Sequence, residues 1–320
     1  MPITARPLLG SDPVGAGIGL ASTRQVTAAV HDMYLHHPFP PLQRRHSYRR
    51  HAAYMRRFLE EHGVDPAGKT FGDIACGTGL MLLDYAQEFP DTTLIGYDLS
   101  EASVDRANQT AHDEGVANAE AHVRDIMSLD VQERFDYILS WGTIHHLGDS
   151  REGFSRLCRA LKPGGYIRIG VYGYYGNWER RIQQEVVRTV NADLSQLEEQ
   201  IDVVREWASG DRNFKNYYTA PPVDLGDDDW VVDEFLHVWE RWLPLRELVG
   251  WCQEEELTLW RLTDYYDNEI SLDIGHHSTN LEFVDRVKML PFEQQCHVID
   301  LIARPYWLSL IMQKPPTAGG

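Results

Sequence analysis

Cysteine is scarce in this sequence, and its cysteines stand far apart. The 320 residues include four, at Cys76, Cys158, Cys252 and Cys296, and the spacing Cys-x-x-Cys does not occur. Disulfide frameworks and cysteine-based zinc sites both depend on closely spaced cysteines. The sequence therefore predicts free buried thiols in a reducing compartment, and we expect a cytoplasmic protein.

Long hydrophobic runs are missing as well. The most apolar stretch, residues 298–312, is interrupted by Asp300, Arg304 and Pro305 and cannot cross a bilayer as one helix. Residues 1–21 lack the basic start and the continuous apolar core of a secretory signal. We therefore expect no signal peptide and no membrane partner.

Basic charge is in deficit, with 30 Lys and Arg against 48 Asp and Glu and a net charge of −18. Because duplex nucleic acids are bound mainly through Lys and Arg, this balance argues against a nucleic-acid partner. One short region is locally basic through Arg44, Arg45, Arg49, Arg50, Arg56 and Arg57. We interpret these arginines as a solvated helix face paired with acids, and the alternative is that one binds an anionic substrate tail or a cofactor carboxylate.

What the sequence does contain is a glycine turn between a predicted strand, Phe71–Ala75, and a predicted helix, Leu80–Glu88. Gly77 and Gly79 lack a Cβ, so the turn can take positive φ and let a ligand touch the backbone. The N–H groups at the start of the helix can bind ligand oxygens. Asp98 ends the next predicted strand, where an acid can accept both hydroxyls of a ribose.

Short apolar strands alternate with amphipathic helices from residue 69 onward. The predicted strands are Phe71–Ala75, Thr93–Tyr97, Ala119–Arg124, Phe135–Ser140, Tyr166–Val171, Thr258–Leu262 and Tyr306–Met312. The predicted helices are Thr23–Tyr34, Ser47–His62, Leu80–Glu88, Glu101–Asp113, Arg151–Ala160, Asn191–Trp207, Pro244–Glu254 and Val284–Ile302. This alternation predicts an α/β fold with a parallel sheet and helices on both faces.

Four segments follow from these patterns. They are an N-terminal helical cap over 1–68, a cofactor-binding core over 69–172, a lid or substrate insertion over 173–256, and the closing strands and helix over 257–320. The insertion is too apolar and aromatic to be a linker, although Ala220–Asp229 is predicted to be a loop. We expect the insertion to cover the carboxyl ends of the strands, where open parallel sheets bind ligands.

Four pieces of the sequence resemble the class I S-adenosylmethionine-dependent methyltransferases. They are Asp73–Gly79, Gly96–Ser100, Asp125-Ile126 and Leu161–Gly165. The resemblance is firm over residues 70–172 and looser over the two closing strands. It implies a seven-stranded, mostly parallel Rossmann-like sheet with S-adenosyl-L-methionine as the cofactor and S-adenosyl-L-homocysteine as its product.

The resemblance also implies which residues contact the cofactor. They are Asp73, Ala75, Cys76, Gly77, Gly79, Asp98, Leu99, Asp125, Ile126, Ser140 and Trp141. Gly77 and Gly79 would lie under the methionine part. Asp98 would accept from the ribose hydroxyls, Leu99 would pack on the adenine, and Asp125 would accept from its amino group.

Candidates for catalysis and for substrate contact are histidines and aromatic residues. His145 and His146 follow the fourth strand and titrate near neutrality, so either is a candidate base. Positioning alone can lower a barrier by about 7–11 kcal/mol, against roughly 3–5 kcal/mol for a base, so a base is not required. The candidate substrate contacts are Tyr34, His36, His37, Tyr172, Tyr174, Tyr175 and Trp178, with core packing as the alternative for the aromatic residues. No metal is expected.

The sequence thus predicts a methyltransferase that acts on a small molecule of secondary metabolism, an aromatic, amine or carboxylate metabolite, by in-line transfer. Peptide, protein or tRNA methylation remains an alternative, and so does a non-catalytic protein that binds the cofactor. An NAD-dependent oxidoreductase is a further alternative, although Leu82 stands where a dinucleotide site would have Gly or Ala. The sequence leaves open whether the protein forms a homodimer.

Overall fold

A computed structural model describes residues 22–191, 196–210 and 225–317, so residues 1–21 of the predicted cap lie outside the described part. The strands are β1 (Thr70–Ile74), β2 (Thr93–Asp98), β3 (Ala119–Val123), β4 (Phe135–Trp141), β5 (Leu161–Tyr172), β6 (Thr258–Thr263) and β7 (Trp307–Gln313). The helices are α1 (Thr23–His36), α2 (Arg49–Glu61), α3 (Leu80–Glu88), α4 (Glu101–Asp113), α5 (Ser150–Ala160), α6 (Trp178–Val190), α7 (Leu197–Gly210), α8 (Asp228–Phe235), α9 (Leu245–Glu254), α10 (Leu281–Lys288) and α11 (Phe292–Ala303).

The strands form one seven-stranded sheet in the order β3-β2-β1-β4-β5-β7-β6. The first five in this order are parallel, and β7 runs antiparallel to both of its neighbours. The predicted fold, a mostly parallel seven-stranded sheet, is confirmed. Because the chain order reverses between β1 and β4, their carboxyl ends open a crevice where such sheets bind ligands.

Helices cover both faces of the sheet, as predicted. Successive side chains of a strand point to opposite faces, and in β4 Ile138 packs in one core cluster while Tyr137 and Leu139 pack in the other. The cluster around Ile138 includes residues of α5 and α9, whereas the second includes residues of α2, α3 and α4. Among the described residues, no helix is both long enough and apolar enough to cross a bilayer.

The segment between α1 and α2 lies on the glycine turn that follows β1. The carbonyl of Phe39 accepts from the Thr78 N–H at 3.2 Å, and the carbonyl of Pro40 accepts from the Thr78 hydroxyl at 2.5 Å. The Ser100 hydroxyl donates to the carbonyl of Tyr34 at 3.2 Å. These contacts attach the N-terminal helices to the edge of the crevice.

The insertion between β5 and β6 differs from the prediction in two helices. α6 was not predicted, and the predicted helix Asn191–Trp207 corresponds to α7, with residues 192–195 outside the described part. The predicted loop Ala220–Asp229 lies partly outside it too, but its last residues begin α8. The Asp227 carboxylate accepts from the Trp230 N–H at 3.1 Å, so an aspartate that suggested a loop is the helix cap.

Two other boundaries were wrong. β5 begins at Leu161 rather than Tyr166, because Lys162–Gly165 forms an irregularity within the strand, where Phe135 pairs with Leu161 and Tyr137 pairs with Tyr166. The predicted single helix Val284–Ile302 is two helices, α10 and α11, with Pro291 at the start of the second. Proline lacks the N–H that a continuous helix would need at that point.

Candidate cofactor and acceptor site

The turn between β1 and α3 is held in a conformation that favours glycine. Ala75, Gly77 and Gly79 have φ values of +65°, +54° and +79°. A Cβ on Gly77 would overlap the carbonyl oxygen of Phe39, and a Cβ on Gly79 would overlap Ala107 of α4. Both positions therefore need glycine, because neighbouring parts of the chain approach too closely to leave room for a Cβ. Ala75 is not a glycine, so its left-handed conformation is strained.

Asp98, at the end of β2, is bonded to this turn. Its Oδ2 accepts from the Gly77 N–H at 2.8 Å, and its Oδ1 accepts from the Ser100 N–H at 2.9 Å. Burial raises the pKa of Asp98, and these N–H donors oppose the increase. Because each carboxylate oxygen can accept a second hydrogen bond, Asp98 can still bind ligand hydroxyls.

Asp73, in β1, is a buried acid with spare accepting capacity. Its Oδ2 has no hydrogen-bond partner among the described residues. Burial and the neighbouring Asp98 raise the pKa of Asp73 to about 8. An unpartnered carboxyl beside the turn fits a ligand with a cationic or N–H group, such as the ammonium of a methionine moiety.

A single cavity adjoins the turn and encloses about 1510 Å³ of empty space, its opening to solvent included. The predicted residues in its wall are Tyr34, Asp73, Ala75, Cys76, Gly77, Asp98, Leu99, Asp125, Ile126, Trp141, His146 and Tyr172.

Three predicted site residues on the core lie outside this wall. Gly79 packs on α4, and Ser140 is fully buried within β4. His145 is also fully buried, with its ring centroid 4.2 Å from that of Tyr172 and with both ring nitrogens unpartnered within the described part of the chain. These residues are close in sequence to residues of the cavity wall, but they do not line the cavity.

Five predicted substrate contacts also lie outside the wall. His36 is exposed and bonds the carbonyl of Asp32 in its own helix, while His37 pairs with Asp229 at 3.0 Å. The rings of Tyr174 and Tyr175 pack on each other with centroids 5.0 Å apart. Trp178 is 48% exposed at the start of α6. Packing and surface roles account for these five residues.

His146 differs from His145 because its ring lines the cavity and because a hydrogen bond fixes which of its ring nitrogens carries the hydrogen. Nδ1 lies 3.1 Å from the carbonyl oxygen of Trp239, which requires the hydrogen on Nδ1 and leaves the lone pair on Nε2. Burial lowers the pKa of His146 to about 3, so the ring is neutral near pH 7. His146 therefore offers the cavity a hydrogen-bond acceptor.

A cluster of buried charges on α6 and α8 was not predicted from the sequence. Arg180 lies 2.8 Å from Glu240 and 3.2 Å from Glu234, and its guanidinium carbon is 4.1 Å from the ring centroid of Tyr172. Asp233 Oδ1 accepts from the Tyr34 hydroxyl at 2.9 Å. Three carboxyls thus surround one guanidinium beside the cavity.

His146, Asp233 and His237 bring three ligand atoms within 4.8 Å of one another, which is a candidate metal cluster. The Trp239 N–H, however, donates to Nδ1 of His237 at 3.0 Å, so His237 carries its hydrogen on Nε2. That Nε2 lies 3.2 Å from the Tyr34 hydroxyl and donates to it. A protonated Nε2 cannot bind a metal, so this arrangement favours a hydrogen-bond network.

One arginine of the basic region lines the cavity, namely Arg44, whose guanidinium carbon is 4.4 Å from the ring centroid of Trp230. Others pair with acids, as interpreted from the sequence. Arg45 pairs with Asp84 and Glu114, and Arg56 pairs with Glu88. Arg44 is the arginine of this basic region that lies in the cavity wall.

Comparison with known proteins matches the part of the chain that contains the glycine turn and Asp98. Residues 72–165 match the family described as "Methyltransferase domain". This part of the chain is therefore similar to a methyltransferase domain. S-adenosylmethionine is the cofactor of the class I methyltransferases, and the matched residues include the glycine turn and Asp98.

Two relatives and one solved structure show how far the likeness extends. Phosphoethanolamine N-methyltransferase 2 from Caenorhabditis elegans is 29% identical over 152 residues, 47% of this chain and 34% of the relative. A malonyl-(acyl-carrier protein) O-methyltransferase from Hahella chejuensis is 36% identical over 96 residues, 30% of this chain and 33% of the relative. The chain therefore spans about a third of the length of these relatives.

The solved structure is PKMT2 from Rickettsia typhi in complex with AdoHcy. It is 18% identical, its TM-score is 0.63, and the match covers 88% of this chain and 55% of that one. At this identity the likeness concerns the fold, and it extends beyond the residues of the family match.

Proposed function

We propose that this chain transfers the methyl group of S-adenosylmethionine to a small-molecule acceptor, a metabolite of secondary metabolism. The observation that carries the proposal is one cavity whose wall joins two sets of residues. Asp73, Gly77 and Asp98 would bind the cofactor. Tyr172 and Asp233, with further aromatic and acidic residues, would contact the acceptor.

The residues of the turn fit the cofactor. Asp98 would accept from the ribose hydroxyls, and Asp73 would accept from the ammonium of the methionine part. Asp125 uses Oδ1 to accept from the Met127 N–H at 2.8 Å, which leaves its other oxygen for the adenine amino group. When bound, the cofactor supplies a methyl group activated on a sulfonium.

The chain's own contribution is mainly to position and enclose the acceptor. Tyr34, Trp141, Tyr172 and Trp307 give the cavity aromatic walls that exclude water. Orientation of two reactants can supply about 7–11 kcal/mol of the barrier reduction. With the pKa of His146 lowered to about 3, this histidine is a weak base, which supports a mechanism driven by positioning.

The relatives do not supply the acceptor. One is named for phosphoethanolamine and the other for malonyl-(acyl-carrier protein), so acceptors of different kinds occur among proteins that share this domain. The concave, aromatic-walled cavity of the present chain supports a small molecule over a polymer.

Calorimetry and a transfer assay test the proposal together. Purified protein is titrated with S-adenosylmethionine, S-adenosylhomocysteine and NAD, and transfer of a labelled methyl group is measured against pooled metabolites. We expect both sulfur nucleosides to bind and NAD not to bind. Binding of NAD alone would identify an oxidoreductase, and binding of the cofactor without transfer to any small-molecule pool would favour a polymer acceptor or a non-catalytic role.

A further inference from the structure

We infer that the acceptor is an amine, whose nitrogen is held by Asp233, Glu234 and His146. This inference rests on the proposed function, because it names the substrate class for the same cavity. All three residues line that cavity, as do residues of the glycine turn that we propose to hold the cofactor.

With both carboxyls ionised, these three side chains offer hydrogen-bond acceptors and no donor to the cavity. His146 presents the lone pair of Nε2, since its Nδ1 donates to Trp239. Glu234 is 2% exposed, and its Oε1 has no hydrogen-bond partner in the described ranges. The Asp233 carboxylate accepts from the Tyr34 hydroxyl through Oδ1. Its other oxygen, Oδ2, is left to accept from a ligand. An alkylammonium has up to three N–H donors and matches this set.

The charge of this side of the cavity also favours a cationic ligand. Arg180 is shared by Glu234 and Glu240, and the other nearby cation, Arg44, lies on the ring of Trp230. Asp233 accepts from a hydroxyl, and Arg180, the cation that acts on it, is already paired with Glu234 and Glu240. His146 and His237 are neutral, because burial keeps the pKa of each far below its ordinary value. An ammonium group would add a second cation to this set of three carboxyls, whereas a carboxylate acceptor would add to the excess of acids.

Aromatic rings complete the surroundings of the nitrogen. Tyr172, Trp230 and Tyr265 line the cavity with a guanidinium carbon 4.1, 4.4 and 4.9 Å from the respective ring centroid, and Trp307 lines it as well. The negative faces of such rings attract ammonium and methylated ammonium groups. The same walls therefore suit both the acceptor and its methylated product.

The proton balance of amine methylation gives Asp233 a chemical role. The bound ammonium passes one proton to the Asp233 carboxylate, and the neutral nitrogen then forms the new C–N bond. The C–S bond of S-adenosylmethionine breaks with its electron pair left on sulfur, and the product leaves as a methylammonium. The Tyr34 hydroxyl, itself bonded to His237, fixes the orientation of Asp233 throughout.

Binding to the protein saturated with S-adenosylhomocysteine tests the inference without an activity assay. Benzylamine, benzyl alcohol and benzoate serve as probes of similar size, titrated at millimolar concentrations by calorimetry. We expect benzylamine to bind at least tenfold more tightly than the alcohol and benzoate. Equal binding of the three, tighter binding of benzoate, or no binding of benzylamine would overturn the inference.

Two variants on the same helix make the comparison specific. Asp233→Asn keeps the size of the side chain and should weaken benzylamine binding at least tenfold. Asp229→Asn is the matched control, because Asp229 pairs with His37 outside the cavity wall and should leave binding unchanged. Unchanged binding in Asp233→Asn contradicts the inference.

The same titrations separate this inference from the proposed function. If S-adenosylhomocysteine binds and benzylamine does not, the amine inference alone fails. If S-adenosylhomocysteine itself does not bind, the proposed function fails. Retention of its affinity in Asp233→Asn shows that the variant is folded.

Discussion

The carboxylate of Asp98 accepts a hydrogen bond from the backbone N–H of Gly77 at 2.8 Å, so the last side chain of β2 fixes the turn that follows β1. The same carboxylate accepts from the Ser100 N–H at 2.9 Å at the start of α4. Asp98 thus connects two neighbouring βα units at the crevice. The residue that is expected to bind the ribose also determines the shape of the methionine side of the site.

Replacement of Asp98 should therefore weaken cofactor binding. We expect Asp98→Ala to cost about 1–3 kcal/mol of binding free energy, since buried hydroxyls would lose their partner. Titration calorimetry with S-adenosylhomocysteine measures the change, and Asp105→Ala on the exposed face of α4 is the control. An affinity equal to that of the unmodified protein would show that Asp98 does not contact the cofactor.

The pH dependence of cofactor affinity should be governed by Asp73. Burial, reinforced by Asp98, raises the pKa of Asp73 to about 8 in the free protein. A cationic ammonium group favours the ionised carboxylate, so binding at pH 6–7 must release this proton. Affinity should therefore increase with pH below 8, by up to about tenfold per pH unit.

The Asp73→Asn variant tests the origin of that dependence, because it cannot release the proton. Calorimetry at pH 6.5 and 8.0, in buffers of different ionisation enthalpy, counts the protons that binding releases. The slope should disappear in the variant. The same slope in both proteins would assign the dependence to another group.

The part of the cavity wall formed by the glycine turn and Asp98 could be predicted because its signals are local. The glycine turn is encoded within a few consecutive residues, and Asp98 follows at the end of the next strand. The sheet was predictable for a similar reason, since its parallel strands are short apolar runs between amphipathic helices. The position of β7 between β5 and β6 was not, because strand order depends on packing between distant segments.

The acceptor side could not be predicted in the same way. Arg180, Glu234 and Glu240 are charged, and charged residues in a sequence usually face solvent. They are buried here because they pair with one another across helices of the insertion. His145 and His146 are likewise indistinguishable in sequence, since the carbonyl that orients His146 belongs to the distant Trp239.

Asp300 should make the stability of the fold depend on pH. Its Oδ2 accepts from the Leu245 N–H at 2.8 Å at the start of α9, and burial raises its pKa to about 6. Because the folded-state pKa exceeds the unfolded value, the stabilisation from Asp300 is complete below pH 4 and is lost as pH rises through 6. Two pKa units correspond to roughly 3 kcal/mol.

Chemical denaturation of the unmodified protein and of Asp300→Asn measures this contribution. Between pH 4 and pH 7 the unmodified protein should lose roughly 2–3 kcal/mol of unfolding free energy relative to the variant. Only the difference in slope is interpreted, because the new amide has its own hydrogen-bonding requirement. Asp130→Asn, at an exposed position, should keep the slope of the unmodified protein. Parallel slopes for Asp300→Asn and the unmodified protein would place the pH dependence elsewhere.

Substitution of the adjacent histidines by phenylalanine should have opposite effects on stability. His145 is fully buried and neither ring nitrogen has a hydrogen-bond partner among the described residues, so His145→Phe removes two unsatisfied polar atoms and should leave the unfolding free energy unchanged or increased. His146→Phe leaves the Trp239 carbonyl without its donor and should cost about 1–3 kcal/mol. Thermal and urea denaturation of the two variants provide the comparison, each acting as the control for the other because size and sequence position are matched. Equal destabilisation by both substitutions would mean that His145 has a polar partner. The difference in hydrogen bonding that distinguishes the two histidines would then be contradicted.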